Sequence, residues 1–340
     1  MGFSKMMELL QIKNEGKNKN EITIERLKCY MCKHNTMPYK KEDKYMLALA
    51  KLYEKLKDKT YQHGGYTEFY VTEPKLRKIE KSRYIDRIVH RWVVDNFLEP
   101  AFVPQFITNS YACLKGKGMH KAAIYVQKTM QHCKRIWGEY YILKMDVAKY
   151  FDNINKNILL SILERKIKDK DLLWLIKQIL FAQKREKGLE IGNYTSQMFA
   201  NIYLNEVDQY IKHKLKTKYY CRYLDDSIIL VKTKKEAKKA LEKIKIFLKE
   251  NLELELNKKT QIFKNKQGVN FCGYKINEYR MKLRDKGKRK LKKKVKYLKN
   301  EIKNKNMTSK EAKKYLAGHM GYIKYANVNN LINKIFYIEK

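Results

Sequence analysis

A chain of 340 residues in which Lys plus Arg number 76 against 36 Asp plus Glu carries a formal net charge of +40, an imbalance that repels itself unless a polyanion is the usual partner. A hydrophobic content of 44% with 12% aromatics excludes a disordered chain, and no apolar run reaches the ~20 residues of a membrane span. "MGFSKMMELL" lacks a signal-peptide core and puts Met6 where a myristoylation pattern needs Ser or Thr, so nucleic acid is the expected partner, with no membrane, and the expected location is cytoplasmic.

Residues 1 to about 70 are Lys-rich, and the apolar spacing of "YMLALAKLYEKL" (Tyr45 to Leu56) predicts an amphipathic helix. Within this part, "CYMCKH" offers Cys29, Cys32 and His34, part of a zinc spacing, but no second CxxC or HxxxH follows to complete four ligands. Cys29 and Cys32 read as ordinary thiols, as do the other scattered cysteines Cys113, Cys133, Cys221 and Cys272. "HGGYTEFYVTEPK" breaks the helix and turns strand-like.

"YYILKMDV" (Tyr140 to Val147) predicts a buried strand. Ile158, Leu159, Ile162, Leu163 and Ile167 then recur at helical spacing, as does a second set from Leu172 to Leu180. Met198, Ile202, Val207, Ile211 and Leu215 mark one face of a further helix. "CRYLDDSIIL" (Cys221 to Leu230) places short apolar runs on either side of Asp225 and Asp226, "KKEAKKALEKIKIFLKE" is amphipathic, and "LELEL" (Leu252 to Leu256) alternates as a half-buried strand does. This order predicts an α+β fold with a split βαββαβ sheet, in which the first strand neighbours the hairpin. From residue 281 the chain is overwhelmingly basic, with Leu291, Val295, Leu298 and Ile302 on a stripe, and a phosphate-facing helix is expected.

A pair of aspartates between apolar runs is explained by a hairpin turn alone. Asp146 is different, because it sits in an apolar strand where an uncompensated carboxylate costs several kcal/mol. Three carboxylates on adjacent strands make an oxygen site suited to magnesium, and two such ions about 3.5–4 Å apart serve in-line displacement at phosphorus.

Taken as an ordered set, "DVAKYFD", "IGNYTSQMFANIYLNEVD", "YLDD" after "CR", "LELNKKT" and "FCGY" resemble the reverse transcriptase motifs A to E over roughly residues 70 to 280. The resemblance implies a right-hand polymerase that makes DNA on an RNA template with Mg2+ (two ions, or Mn2+) and dNTPs. It also implies a division into residues 1–70 as an N-terminal helical extension to the fingers, 71–139 as fingers, 140–270 as palm with a fingers-side insert around 160–195, and 271–340 as primer grip and small basic helical thumb.

Carried over, Asp146 and Asp225 resemble the metal ligands, Asp226 the supporting acid, and Val147 the backbone carbonyl for the second ion. Phe151 falls at the steric gate that excludes a ribose 2′-hydroxyl, or is a core aromatic. Lys259, with Lys258 beside it, resembles the proton donor to pyrophosphate. Lys75, Arg77 and Arg87 resemble the triphosphate-gripping cations, and Cys272, Gly273 and Tyr274 the primer grip.

Retroviral and group II intron enzymes read QGxxxSP in motif B, whereas in "IGNYTSQ" Ile191 replaces the glutamine and Gln197 the proline, with Gly192 kept. An apolar Ile191 removes a polar check on the base pair, and looser copying is the expected consequence. With "SYACLKGKGMHKA", which carries Lys115, Lys117 and Lys121, the pattern is similar to reverse transcriptases of diversity-generating retroelements. Membership implies a template-repeat RNA, an RNA/cDNA hybrid followed by the thumb (Lys288, Arg289, Lys292), adenine-directed errors and a small basic oligomeric accessory protein. A retron-like or antiviral-defence reverse transcriptase is the alternative within the same chemistry, and a non-catalytic RNA-binding scaffold the alternative outside it. The sixty or so residues after "FCGY" leave no expected room for RNase H, a nuclease or a maturase domain.

Overall fold

The computed structural model describes residues 42–72, 76–328 and 331; Lys75 and the "CYMCKH" segment lie outside the described residues. In chain order the elements are α1 (Glu42–Lys57), β1 (Tyr66–Val71), β2 (Arg77–Ser82), α2 (Tyr84–Val93), α3 (Met119–Trp137), β3 (Tyr141–Asp146), α4 (Lys156–Lys166), α5 (Lys170–Leu180) and α6 (Tyr194–Gln209). There follow β4 (Tyr219–Tyr223), β5 (Asp226–Val231), α7 (Lys234–Leu252), β6 (Gln261–Lys264), β7 (Val269–Phe271), β8 (Tyr274–Ile276), β9 (Met281–Leu283), α8 (Asp285–Lys303) and α9 (Ser309–Ile323).

The chain separates into two compact units. The first takes the described residues up to Ala101 together with residues 167–184 and 190–195. Leu49, Leu52 and Leu56 form the buried stripe of α1, and Ile88, Val89, Trp92 and Val93 that of α2. At the start of α5 the Asp169 carboxylate accepts from the Asp171 and Leu172 N–H groups, satisfying two donors that a helix end leaves open. The antiparallel β1–β2 hairpin is tied to the 191–193 turn: Glu80 N–H donates to Ile191 O at 2.9 Å, and Asn193 Nδ2 to Glu80 O at 2.9 Å.

The second unit contains the split βαββαβ arrangement expected from the sequence, with β4-β5-β3-β6 as a four-stranded sheet whose neighbours all pair antiparallel. Side chains alternate across it, as strand geometry requires. Ile142, Cys221, Ile228 and Leu230 enter one core with Ala122, Val126 and Met130 of α3 and with Phe271, Tyr274, Leu291, Val295 and Ile323. Leu143, Tyr220 and Ile229, on the alternate register positions, are equally buried.

α3, the small β7-β8-β9 sheet and α8 share the core just described. One expectation changes. "LELEL" is not a strand: α7 runs through Leu252, Glu253 closes it in a left-handed conformation at φ 49°, and Leu256 makes one isolated bridge to Val147. The fourth strand is Gln261–Lys264, the partner of β3.

Candidate active site

Antiparallel register puts Asp146, the last residue of β3, directly opposite Asp226, the first of β5. Tyr223 pairs with Asp226 across the β4–β5 hairpin, so Leu224 and Asp225 form a two-residue turn. Leu224 has φ 52° and Asp225 has no positive φ. A positive φ at the first central position alone is the pattern of a type II′ turn, where glycine is the favoured residue. Motif A closes over this tip, with Val147 N–H donating to Asp225 O at 3.3 Å and Asn257 N–H to Asp146 O at 2.7 Å. The second bond fixes the turn that carries Lys258 and Lys259, and Lys259 N–H in turn donates to Asn257 Oδ1 at 3.0 Å.

Like charges directly opposite on a ladder repel. Lys144, two residues before Asp146 and on the same face, answers part of that charge: its Nζ lies 3.1 Å from Asp226 Oδ2 and donates to Asn270 O at 2.8 Å. Burial still pushes the Asp226 carboxyl up to about 6, against the lowering by Lys144 and with further raising from Asp146 and Asp225. Asp226 Oδ1 is buried without a hydrogen-bond partner.

Among the described residues no group of three or more His, Cys, Asp or Glu side chains is gathered closely enough to hold a metal ion. Asp146 and Asp226 face each other in backbone register, with Asp225 at the adjoining turn. The residues nonetheless fit a hard divalent cation. The donors are carboxylate and carbonyl oxygens, and the buried Asp226 Oδ1, which has no hydrogen-bond partner, marks negative charge that Lys144 leaves uncompensated.

Behind the tip lies a network that sequence reasoning missed. Arg222, in β4, is 2% exposed, and Asp208, in α6, is fully buried. Arg222 Nε meets Asp208 Oδ1 at 2.8 Å and Nη2 meets Oδ2 at 2.6 Å, while Tyr220 OH donates to Oδ1 at 2.6 Å. Arg222 Nη1 donates to Asn201 Oδ1 and to Leu224 O, both at 3.2 Å. The available signal was a lone Arg in an apolar strand two residues before the acids' turn.

Phe151 lies half-buried beside the Tyr150 ring, at 5.7 Å between centroids. Gln197 is exposed on α6. Arg77 and Arg87 are exposed in the first unit, with Arg87 5.4 Å from the Tyr84 ring centre. Ile191 and Gly192 sit in the turn against β2, Gly192 at φ 120°.

Lys117 Nζ donates to Thr108 O at 2.6 Å and Ser110 O at 2.9 Å, and Lys121 Nζ to Gly116 O, so both hold their own loop together; Lys115 is exposed. Cys272 and Gly273, at φ 47° and 85°, form the β7–β8 turn. Tyr274, expected at nucleic acid, is instead fully buried, its hydroxyl 2.7 Å from His120 Nδ1 and 3.2 Å from Tyr322 O. The aromatic ring completes the core rather than the surface. Arg289 and Lys292 are exposed on α8, and Lys288 is paired with Asp285 at 3.1 Å.

The family description "Reverse transcriptase (RNA-dependent DNA polymerase)" matches residues 72–276. Among curated proteins, the chain is 26% identical over 243 residues to Protein YkfC of Escherichia coli, covering 59% of this chain and 63% of that protein. It is 25% identical over 302 residues to the group II intron-encoded protein LtrA of Lactococcus lactis, covering 67% and 49%. The chain thus spans between about half and somewhat under two thirds of these relatives' lengths. A solved telomerase of Candida albicans, in complex with a fragment of telomeric RNA, aligns with TM-score 0.49 and 12% identity over 77% of this chain and 49% of its own. No helix among the described residues is long and apolar enough to cross a membrane. With the acids, the hairpin and the flanking helices all inside the matched span, the chain belongs to the reverse transcriptase family.

Proposed function

We propose that this chain is an RNA-directed DNA polymerase that makes cDNA on an RNA template, with the βαββαβ sheet as the palm of a right hand, the segments before it as fingers, and residues 271–340 as primer grip and thumb. The observation that carries the reading is the register of Asp146 opposite Asp226 with Asp225 at the turn between β4 and β5, inside the span that matches the family.

Asp146 and Asp225, with the Val147 carbonyl, would hold two Mg2+ ions, or Mn2+, and Asp226 supports them. Such ions, when bound, lower the pKa of an attacking hydroxyl and neutralise the triphosphate and its leaving pyrophosphate. Lys259, on the turn fixed to Asp146 O, would protonate the pyrophosphate. Phe151 screens the sugar, and Lys75, Arg77 and Arg87 hold the triphosphate. Ile191 and Gln197 shape the template pair, Cys272 and Gly273 present the primer end, and Lys115, Arg289 and Lys292 meet phosphates.

The departures from QGxxxSP favour a diversity-generating retroelement enzyme, error-prone at template adenines, working in the cytoplasm with a template-repeat RNA and a small basic oligomeric accessory protein. The polymerase reading is tested by dNTP incorporation on a primed RNA template: Asp225→Asn with Asp226→Asn abolishes the magnesium-dependent reaction while RNA binding survives, and persistent incorporation refutes it. Sequencing cDNA made in cells tests the subtype, since faithful or untemplated products contradict the diversity-generating reading and favour the retron-like or defence one.

A further inference from the structure

We propose that Arg222 is a positioning residue for the Leu224–Asp225 turn: its guanidinium, fastened to α6, holds the Leu224 carbonyl and so sets where the Asp225 carboxylate stands. The inference rests on the polymerase reading for the role of Asp225, and on geometry for the rest.

Leu224 occupies, at φ 52°, the position that hairpin chemistry gives to glycine. A side chain in the left-handed region is strained and persists only where its surroundings hold it. The next residue is Asp225, so any relaxation of the turn moves a proposed ligand. The restraint comes from the opposite face of the sheet. Arg222 pairs with Ser227, one step along the ladder from the Tyr223–Asp226 pair, so its side chain points away from the face shared by Lys144, Asp146 and Asp226.

On that far side the fork is fully used. Nε and Nη2 grip the Asp208 carboxylate, which leaves Nη1 to bridge Asn201 Oδ1 and Leu224 O. A lysine supplies the charge but not the rigid fork. The backbone of the same residue is clamped as well: Arg222 N–H donates to Asn109 O, and Tyr111 N–H to Arg222 O, each at 3.0 Å. Arg222 thus ties the turn to α6 and to the 109–111 segment, which the sequence places in motif B and in the second fingers motif. A buried ion pair is replaceable by apolar side chains as far as stability goes; such side chains have no donor for Leu224 O.

The test compares wild type, Arg222→Lys, and the double variant Arg222→Met with Asp208→Leu, which removes the ion pair without orphaning a charge. The readouts are the magnesium-induced rise in melting temperature, measured without turnover, RNA affinity, and kcat and KM for a single dNTP. Both variants are expected to keep RNA affinity and dNTP KM while the magnesium midpoint rises and kcat falls by about tenfold to a hundredfold, the usual cost of losing an outer partner of a metal ligand. Should Arg222→Lys not fold, the double variant carries the test. Variants as stable as wild type with its magnesium midpoint and kcat overturn the inference alone. A wild-type protein that neither responds to magnesium nor incorporates dNTP overturns the metal reading and this inference together.

Discussion

Lowering the pH from 7.5 to 5 is expected to destabilise the first unit through His90. This side chain is 2% exposed, and its Nε2 lies 3.1 Å from His63 Nε2 while its Nδ1 lies 2.7 Å from Thr195 Oγ1. Gly65 N–H donates to His63 Nδ1 at 3.1 Å, so His63 carries its proton on Nε2 and gives it to His90, whose own proton then faces Thr195. A further proton on His90 would set two N–H groups against each other. Burial, followed by His63, accordingly lowers the His90 pKa from 6.5 to about 3.

Because the folded value lies below the unfolded one, the unfolded chain takes up more protons between them. The stabilisation is complete above about 6.5 and is lost as pH falls. At about 1.36 kcal/mol per pH unit, the loss by pH 5 is about 2 kcal/mol, or about 0.7–1 M in the urea midpoint at a slope of 2–3 kcal/mol/M. Tryptophan fluorescence follows it, since Trp92 is buried two residues along α2. Asp226, with a folded value raised to about 6, contributes in the opposite direction and cancels in the difference between wild type and His90→Gln. The variant should lose most of the midpoint shift between pH 7.5 and 5; equal shifts in the two proteins would refute the neutral-pair argument.

Lys144→Met removes the cation that holds the Asp226 carboxyl down, so the acid limb of the incorporation rate, expected near pH 6, should move to higher pH; an unmoved limb would show that Asp226 does not set it. Gly192→Ala adds a Cβ 2.8 Å from Ile79 Cγ2 at φ 120°, and a loss of about 1–3 kcal/mol is expected in chemical denaturation. Measurable stabilisation by that alanine would contradict the close approach of the turn to β2.

Most of the secondary structure was legible because burial imposes periodicity. Tyr140 to Val147 reads as a strand since Ile142, Leu143 and Met145 are buried in it, and α5 reads as a helix through Leu172, Leu175, Ile176 and Ile179. Alternation misled at "LELEL" because Leu252 completes the helical stripe of Leu248 and Ile244, while the true strand, Gln261–Lys264, is a half-exposed edge with no alternating signature. The ion pair was illegible for another reason. Asp208 and Arg222 are 14 residues apart on different elements, and only the packing of α6 on β4 makes a buried Arg and a buried Asp one feature. Tyr274 reads as a motif residue in "FCGY", but its partners His120 and Tyr322 lie 154 and 48 residues away.

Single-turnover addition of one dNTP to a primed RNA template, with wild type and Asp146→Asn compared across a magnesium titration, tests the central claim most directly. The account predicts magnesium-dependent addition by wild type and none by Asp146→Asn at equal RNA occupancy. Addition by Asp146→Asn at the wild-type rate would contradict it.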